Sequence, residues 1–344
     1  MDSYQQTISN APLTFAIVGY GNIGSRHAGH ILNNPAAKLL AVADMDEIKK
    51  EKAPAGVPFY NSLEALLEAH QPDVVSICTP NHLHEPHTIY ALSKNCHALV
   101  EKPMALSTAE CDRMMAAAAQ YGRKIFAVKQ NRYNPPVAAV KELIESGRLG
   151  KIYLVEVNCF WNRNDAYYAS SCWRGKKATD GGCLFTQFSH FVDILYYLNG
   201  GISESAGRIH NFAHGHNTEF EDTGVFSMKG DNGSLISFNF STAAHCRNME
   251  GAITLIAEKG TLKIGGQYLN TLEYQSLEGP PLPDIHVESR ENDYGLYKGS
   301  MSNHDKVIQN VIDVLHYGKP MMTSAAEGRA VVAMIEGMYA SVKP

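Results

Sequence analysis

A short apolar run, Phe15-Ala16-Ile17-Val18, opens into a loop with glycines at 19, 21 and 24, and no other feature of the 344-residue chain narrows its fold as far. Gly19 lets the chain turn sharply out of a strand. Gly21 leaves the backbone bare for a pyrophosphate, and Gly24 lets the next helix pack closely on the strand. The N–H groups at that helix start, together with the helix dipole, favour an anion. Glycine-rich turns are common, so the weight comes from context. A second apolar run, Leu39–Ala43, ends in Asp44, 20 residues after Gly24 (44 − 24). A carboxylate at that spacing accepts hydrogen bonds from an adenosine ribose. This stretch alone also fits a βαβ unit with an incidental acid. Asp44 would repel a 2′-phosphate, and Met45, Asp46 and Glu47 follow it with no arginine to neutralise one, so NAD is expected rather than NADP.

The rest of the first third continues the alternation. Strands read at 15–18, 38–43, 73–80, 97–102 and 124–130, and helices at 24–33, 62–70, 85–94 and 108–121, with Ser107 and Glu110 as a capping box for the last. Such alternation predicts a parallel sheet with helices on both faces. A further helix starts at Pro135-Pro136 and ends before Gly147. After Gly150 the period changes to two, as in "KIYLVEVNCFW", "TGVFSM" and "SLISFNFST", with Gly and Asn-Gly turns between runs. That pattern predicts a largely antiparallel sheet with an open face. One helix (188–198) interrupts it, residues 278–295 read as a long loop, and two helices (303–317 and 325–341) close the chain.

The expected architecture is an α/β Rossmann dinucleotide-binding domain over 1–130, then an α+β substrate and oligomerisation domain over 131–344 with a large, mainly antiparallel open sheet. The C-terminal helix is expected to pack back on the first domain. The length suffices for two domains with a sizeable core. An uncovered sheet face commonly becomes a subunit interface, so a homodimer or homotetramer is expected. A net charge of −5 argues against a nucleic-acid or anionic-membrane partner. Seven cysteines without a C-x-x-C pair fit reduced thiols in the cytoplasm. The first residues are polar with no signal core, and no apolar run approaches the roughly 18 residues of a membrane span.

Two further stretches lie where strands of the first sheet end, the position at which doubly wound folds bind ligands: "CTPNHLHEPH" (78–87) and "VEKPMAL" (100–106). Lys102 stands at such an end, before a proline. His82, His84 and His87 do not make a zinc site, because spacings of two and three at a strand-to-helix corner do not converge on one ion. No metal is expected. "HNFAHGH" (210–216) reads as a solvated loop. A third stretch, 171–195, carries an Asp-Gly-Gly turn into a helix with His190 and Asp193.

Taken together, the glycine loop, "CTPNHLH", "EKPMAL", "QNRYNP", "WRG…DGG…H-x-x-D" and the closing "EGRAVVAMIEGMYAS" resemble the Gfo/Idh/MocA family of NAD(P)-dependent oxidoreductases. "FAVKQNRYNPPV", "VNCFWNRNDAYYASSCWRG" and "DGGCLFTQFSHFVDIL" are similar to the branch that oxidises UDP-2-acetamido-2-deoxy-glucuronate at C3, an activity of polysaccharide biosynthesis.

The resemblance implies Lys102 and His190 as the catalytic pair. It implies a cofactor-binding set of Gly19, Gly21, Asn22, Ile23, Gly24, Asp44, Thr79, Asn81, His84, Glu101, Lys102 and Gln130, with Asn81 and His84 along the ribose. Lys102, His190, Arg132, Arg163, Trp173 and Arg174 would meet the substrate, because guanidinium forks suit phosphate and carboxylate. Tyr167 and Tyr168 fit either stacking or core packing. Many members carry an Asp four residues before the histidine, where this chain has Thr186, which places more of the proton transfer on His190 and Lys102. Some relatives keep NAD bound and reoxidise it with 2-oxoglutarate. The alternatives are an inositol, free-sugar or UDP-N-acetylglucosamine 3-dehydrogenase, or a non-catalytic NAD-binding sensor.

Overall fold

A computed structural model describes residues 11–285, 291–293 and 298–343. The chain forms two compact units. The first comprises Met1–Met104, Ala109–Val128 and His304–Glu327; the second comprises Ala105–Thr108, Lys129–Asn303 and Gly328–Pro344.

In the first unit six strands form one parallel sheet: β1 (Leu13–Val18), β2 (Ala37–Ala43), β3 (Phe59–Tyr60), β4 (Val74–Ile77), β5 (His97–Val100) and β6 (Ile125–Ala127), in the order β3-β2-β1-β4-β5-β6. The connecting helices are α1 (Asn22–Leu32), α2 (Leu63–Ala69), α3 (His84–Ser93) and α4 (Thr108–Tyr121). Phe15, Ala16 and Ile17 are wholly buried, and so are Val74 and Val75. Strands buried on both faces are apolar throughout rather than alternating, as a parallel sheet requires. The strand order reverses at β1, which pairs with β2 on one side and β4 on the other. Ligands of open α/β sheets bind at that switch point, beyond the carboxyl ends of the strands. The helix His304–Tyr317 lies in this unit against α1, where Asn34 Nδ2 donates to Gln309 Oε1 at 2.9 Å.

The second unit begins with α5 (Pro135–Glu145) and β7 (Ile152–Phe160). Three short helices follow, α6 (Asp165–Ala169), α7 (Lys177–Asp180) and α8 (Cys183–Thr186), then α9 (Ser189–Asn199). Strands β8 (Ile202–His210), β9 (Thr223–Gly230), β10 (Leu235–Ser241), β11 (Glu250–Ala257), β12 (Gly260–Gly265) and β13 (Thr271–Leu277) join β7 in a sheet ordered β13-β12-β11-β7-β10-β9-β8. All its pairs are antiparallel except β7 with β10. One face packs on α9. The other exposes Val225, Leu235, Ile256 and Tyr274, of which Leu235 and Ile256 both pair with Leu154.

The structure changes several local expectations. The strand expected to 130 stops at Ala127, and Gln130–Tyr133 form a 3₁₀ turn instead. Within the expected loop 278–295, Glu291–Asp293 pair with Lys298–Met301 as a two-stranded ribbon, β14 and β15; residues 286–290 and 294–295 lie outside the described residues. "HNFAHGH" is not wholly solvated: His214 is 5% exposed, and its Nδ1 lies 3.2 Å from Asp222 Oδ2. The buried Asp222 carboxylate gathers the Phe212 and Ala213 N–H groups as well, which folds the loop inward. All seven cysteines are free. Among the described residues no helix is long and apolar enough to cross a membrane.

Candidate active site

The first unit presents the glycine loop as the sequence suggests. Gly19 has φ of +87°, and a Cβ there would meet the Cys78 carbonyl at 2.5 Å and the Thr79 nitrogen at 2.7 Å. A Cβ on Gly24 would collide with the Gly19 carbonyl oxygen, whereas one on Gly21 would meet nothing within 4 Å. The loop is therefore clamped on the protein side and open where an anion would approach. Gly21 is also the N-cap of α1 and brings no side chain to that terminus, so Asn22, Ile23 and Gly24 begin a helix whose first turn faces outward uncapped. Asp44, just past β2, accepts the Tyr20 N–H at 2.6 Å through Oδ2 and the Asp46 N–H at 2.9 Å through Oδ1. It thus stiffens the loop from behind and stands half-buried at the position expected for a ribose acceptor.

The ends of β4 and β5 lie alongside. Asn81 is buried at the start of a 3₁₀ turn after β4. His84, expected along the ribose, has both ring nitrogens on backbone carbonyls. Its Nε2 lies 2.9 Å from the Thr79 carbonyl and its Nδ1 2.7 Å from the Pro103 carbonyl, so the ring braces the β4 loop against the β5 loop. Burial lowers its pKa, and the two facing carbonyls offset part of that shift. Lys102 is half-buried, and the Lys102–Pro103 peptide is cis. Glu101, beside it, is 5% exposed and faces inward toward His27 rather than outward. His27, Ser76 and His304, which complete this cluster, were not singled out in the sequence.

In the second unit His190 stands in the first turn of α9, 5% exposed. One turn on, Asp193 receives Arg132 through two bonds, Nε at 3.0 Å and Nη2 at 2.8 Å, with the Arg132 guanidinium over the Tyr197 ring. Arg132 is completely buried, so the structure gives it an internal ion pair where a substrate contact was expected. Gln130, expected at the cofactor, donates to Ser300 Oγ at 2.9 Å.

Arg163 is held by neutral oxygens: Gln187 Oε1 at 2.6 Å, the Asn162 carbonyl at 2.6 Å and Asn248 Oδ1 at 3.3 Å. Its guanidinium lies 5.0 Å from the centroid of the Trp161 ring and 5.3 Å from that of Tyr167. Arg174 stacks over Tyr167 and Trp173, and its Nη1 donates to Ser170 Oγ. Tyr167 and Tyr168 are core residues, 2% and 5% exposed. Thr186, which replaces the family's carboxylate, is hydrogen-bonded to the carboxylate of buried Asp180. Asp180 also accepts the Gly175 N–H at 2.9 Å, so it ties the "WRG" loop to the approach to α9. The sequence offered no spacing rule that would have linked Asp180 to Thr186.

Both units resemble known proteins. Residues 13–129 match the model of an oxidoreductase family with an NAD-binding Rossmann fold, GFO_IDH_MocA, and residues 137–263 match the GFO/IDH/MocA C-terminal domain. The WlbA dehydrogenase of Bordetella pertussis, solved with NADH and UDP-GlcNAcA, is 32% identical over 96% of each chain, with a TM-score of 0.86. The WlbA dehydrogenase of Chromobacterium violaceum, solved with the same two ligands, is 31% identical over 97% of this chain and 94% of its own, with a TM-score of 0.88. The D-glucoside 3-dehydrogenase of Escherichia coli is 27% identical over 60% of each chain. The chain spans 63% and 60% of the length of the first two curated relatives it matches.

Proposed function

Because the chain belongs to the Gfo/Idh/MocA family of NAD-binding oxidoreductases, we propose that it oxidises the C3 hydroxyl of UDP-2-acetamido-2-deoxy-glucuronate. The observation that carries the substrate is the likeness, along nearly the whole chain, to two dehydrogenases solved with NADH and UDP-GlcNAcA. NAD, when bound, would supply the hydride acceptor, so that loss of the C3 hydrogen with its electron pair and of the O–H proton would leave a carbonyl at C3. His190 accepts that proton. A placed general base contributes about 10²–10⁴-fold to the rate. The Lys102 ammonium stabilises the alkoxide charge that develops on the same oxygen.

The glycine loop and the start of α1 take the pyrophosphate of NAD, and Asp44 takes its ribose. Arg163, orientated by Gln187 and Asn248, and Arg174, stacked on Trp173, are assigned to the diphosphate and uronate oxyanions. Arg132 supports α9 through Asp193. A second copy covers the sheet face bearing Val225, Leu235 and Ile256.

NADH formation with a panel of sugars tests this reading. Turnover of the UDP-linked uronate well above that of UDP-N-acetylglucosamine, free glucose and myo-inositol is expected. Equal turnover of UDP-N-acetylglucosamine removes the carboxylate contact, and a free hexose that outcompetes both removes the nucleotide sugar. The E. coli glucoside relative favours one second reading, C3 oxidation of a sugar without a nucleotide.

A further inference from the structure

Beneath Lys102 the first unit buries a hydrogen-bonded chain that the reaction does not use directly. Glu101 Oε2 accepts the backbone N–H of Lys102 at 3.1 Å. Its Oε1 lies 2.9 Å from His27 Nε2, and the other nitrogen of that ring lies 2.7 Å from Ser76 Oγ. His304, at the start of its helix, sets Nε2 3.4 Å from the same Oε1. His27 is 0% exposed, His304 1% and Glu101 5%. On the far side of Lys102, His84 Nδ1 lies 2.7 Å from the Pro103 carbonyl. The catalytic lysine therefore stands on a backbone gripped at two adjacent residues.

We propose that His27 is a positioning residue for Lys102: it anchors Glu101, and the anchored carboxylate fixes the Lys102 backbone so that the ammonium meets the substrate oxygen in one orientation. This rests on the reading of Lys102 as the group that touches that oxygen. Chemistry inside the cluster supports the division of roles. Burial alone would raise the pKa of Glu101, but the hydrogen bond from His27 and the nearby His304 ring outweigh it and hold the carboxyl well below its usual range. Burial would lower His27, yet Cys78 and Glu101 together push it up to about 10. Burial keeps His304 below its ordinary value despite the facing carboxylate. The cluster thus sets the His27 ring against the Glu101 carboxylate at 2.9 Å. An ionised carboxylate deprived of the His27 ring that faces it in the interior does not keep its place, because a poorly compensated buried charge is strongly unfavourable.

The test substitutes His27 and reads two quantities. His27→Leu should lower kcat about 10–100-fold while KM and the NAD Kd stay within about threefold, since misplacing a reacting group by about 1 Å costs on the order of 10²-fold. His27→Gln, which still reaches Glu101 with a donor, should recover most of the loss. Amide hydrogen exchange over 100–104 needs no substrate, and the Lys102 N–H should exchange faster in His27→Leu than in the parent. His27→Asn, polar but too short to reach Glu101, serves the same purpose if the leucine variant does not fold. Unchanged exchange at Lys102, or full kcat in His27→Leu beside an inactive Lys102→Met, overturns the positioning role. An active Lys102→Met instead overturns the reading of Lys102 itself. The three ligand atoms lie within 4.8 Å of one another, so a divalent ion that survives chelation would also overturn the proposal and make the cluster a metal centre.

Discussion

Glu221→Gln should flatten the pH dependence of the second unit's stability. Glu221 is 6% exposed; its Oε1 accepts the Tyr339 hydroxyl at 2.6 Å and the Cys183 N–H at 3.2 Å, at the start of the short helix that leads toward His190. Burial raises the carboxyl, and the bonds from Tyr339 and Cys183 and the charge of Lys177 recover only part of the shift, leaving it at about 7 against an ordinary 4.5. The folded state therefore binds this proton more tightly than the unfolded chain does. Its stabilising contribution is complete below pH 4.5 and is lost as pH rises through about 7. Each pKa unit corresponds to about 1.4 kcal/mol, so the loss between about pH 5 and about pH 8 is roughly 2.5 kcal/mol.

Trp161 and Trp173, the two tryptophans of the chain, both lie in the second unit, so urea unfolding followed by tryptophan fluorescence reads that unit. His30 and His97, held down to about 4 in the first unit chiefly by burial, pull the other way: their contributions are lost as pH falls from 6.5 through about 4. Subtracting the variant's curve from the parent's removes them. A difference that stays constant within about 0.5 kcal/mol across that range would refute the assignment of a raised pKa to Glu221.

Lys102→Ala and His190→Ala should each abolish NADH formation while NAD affinity, measured by calorimetry, stays near the parent's, because the glycine loop and not these side chains holds the pyrophosphate. Asp44→Ala should weaken NAD about 10–100-fold, as expected for loss of hydrogen bonds to a charged group, and should narrow the preference over NADP in the same titration. Asp193→Asn leaves the Arg132 guanidinium buried beside a neutral amide and should destabilise the second unit by about 3–5 kcal/mol in urea. The triple change Arg132→Met, Asp193→Leu and Lys129→Met, which also removes the buried ammonium 3.9 Å from Asp193, should recover most of that loss, and an equally unstable triple variant would argue against the buried charges as the cause.

What could be read from the chain alone was local or periodic. The turn from β1 through Gly19, Gly21 and Gly24 to Asp44 was legible as a set of short spacings, although the Cys78–Thr79 backbone that leaves Gly19 no room for a side chain is brought there by the fold. The change in period after Gly150 marked the second sheet, since side chains of a half-buried strand alternate by two. Lys102 and His190 came from motifs that resemble a family. The parallel pairing of β7 with β10 inside an otherwise antiparallel sheet left no mark in the alternation, because either pairing buries the same face.

The tertiary structure decided the partners of the buried charges. Arg132 looked like a free guanidinium for a uronate, and Asp193, 61 residues away, claims it. Glu101 stood in a motif as a neighbour of the cofactor, and His27, 74 residues back, turns it inward. Glu221 had no special feature in the sequence until Tyr339, 118 residues on, closed over it. Hydrophobic period and turn chemistry act over a few residues and are written along the chain. A charge removed from water takes whichever opposite charge or donor the fold brings within about 3 Å, and that depends on how the elements pack.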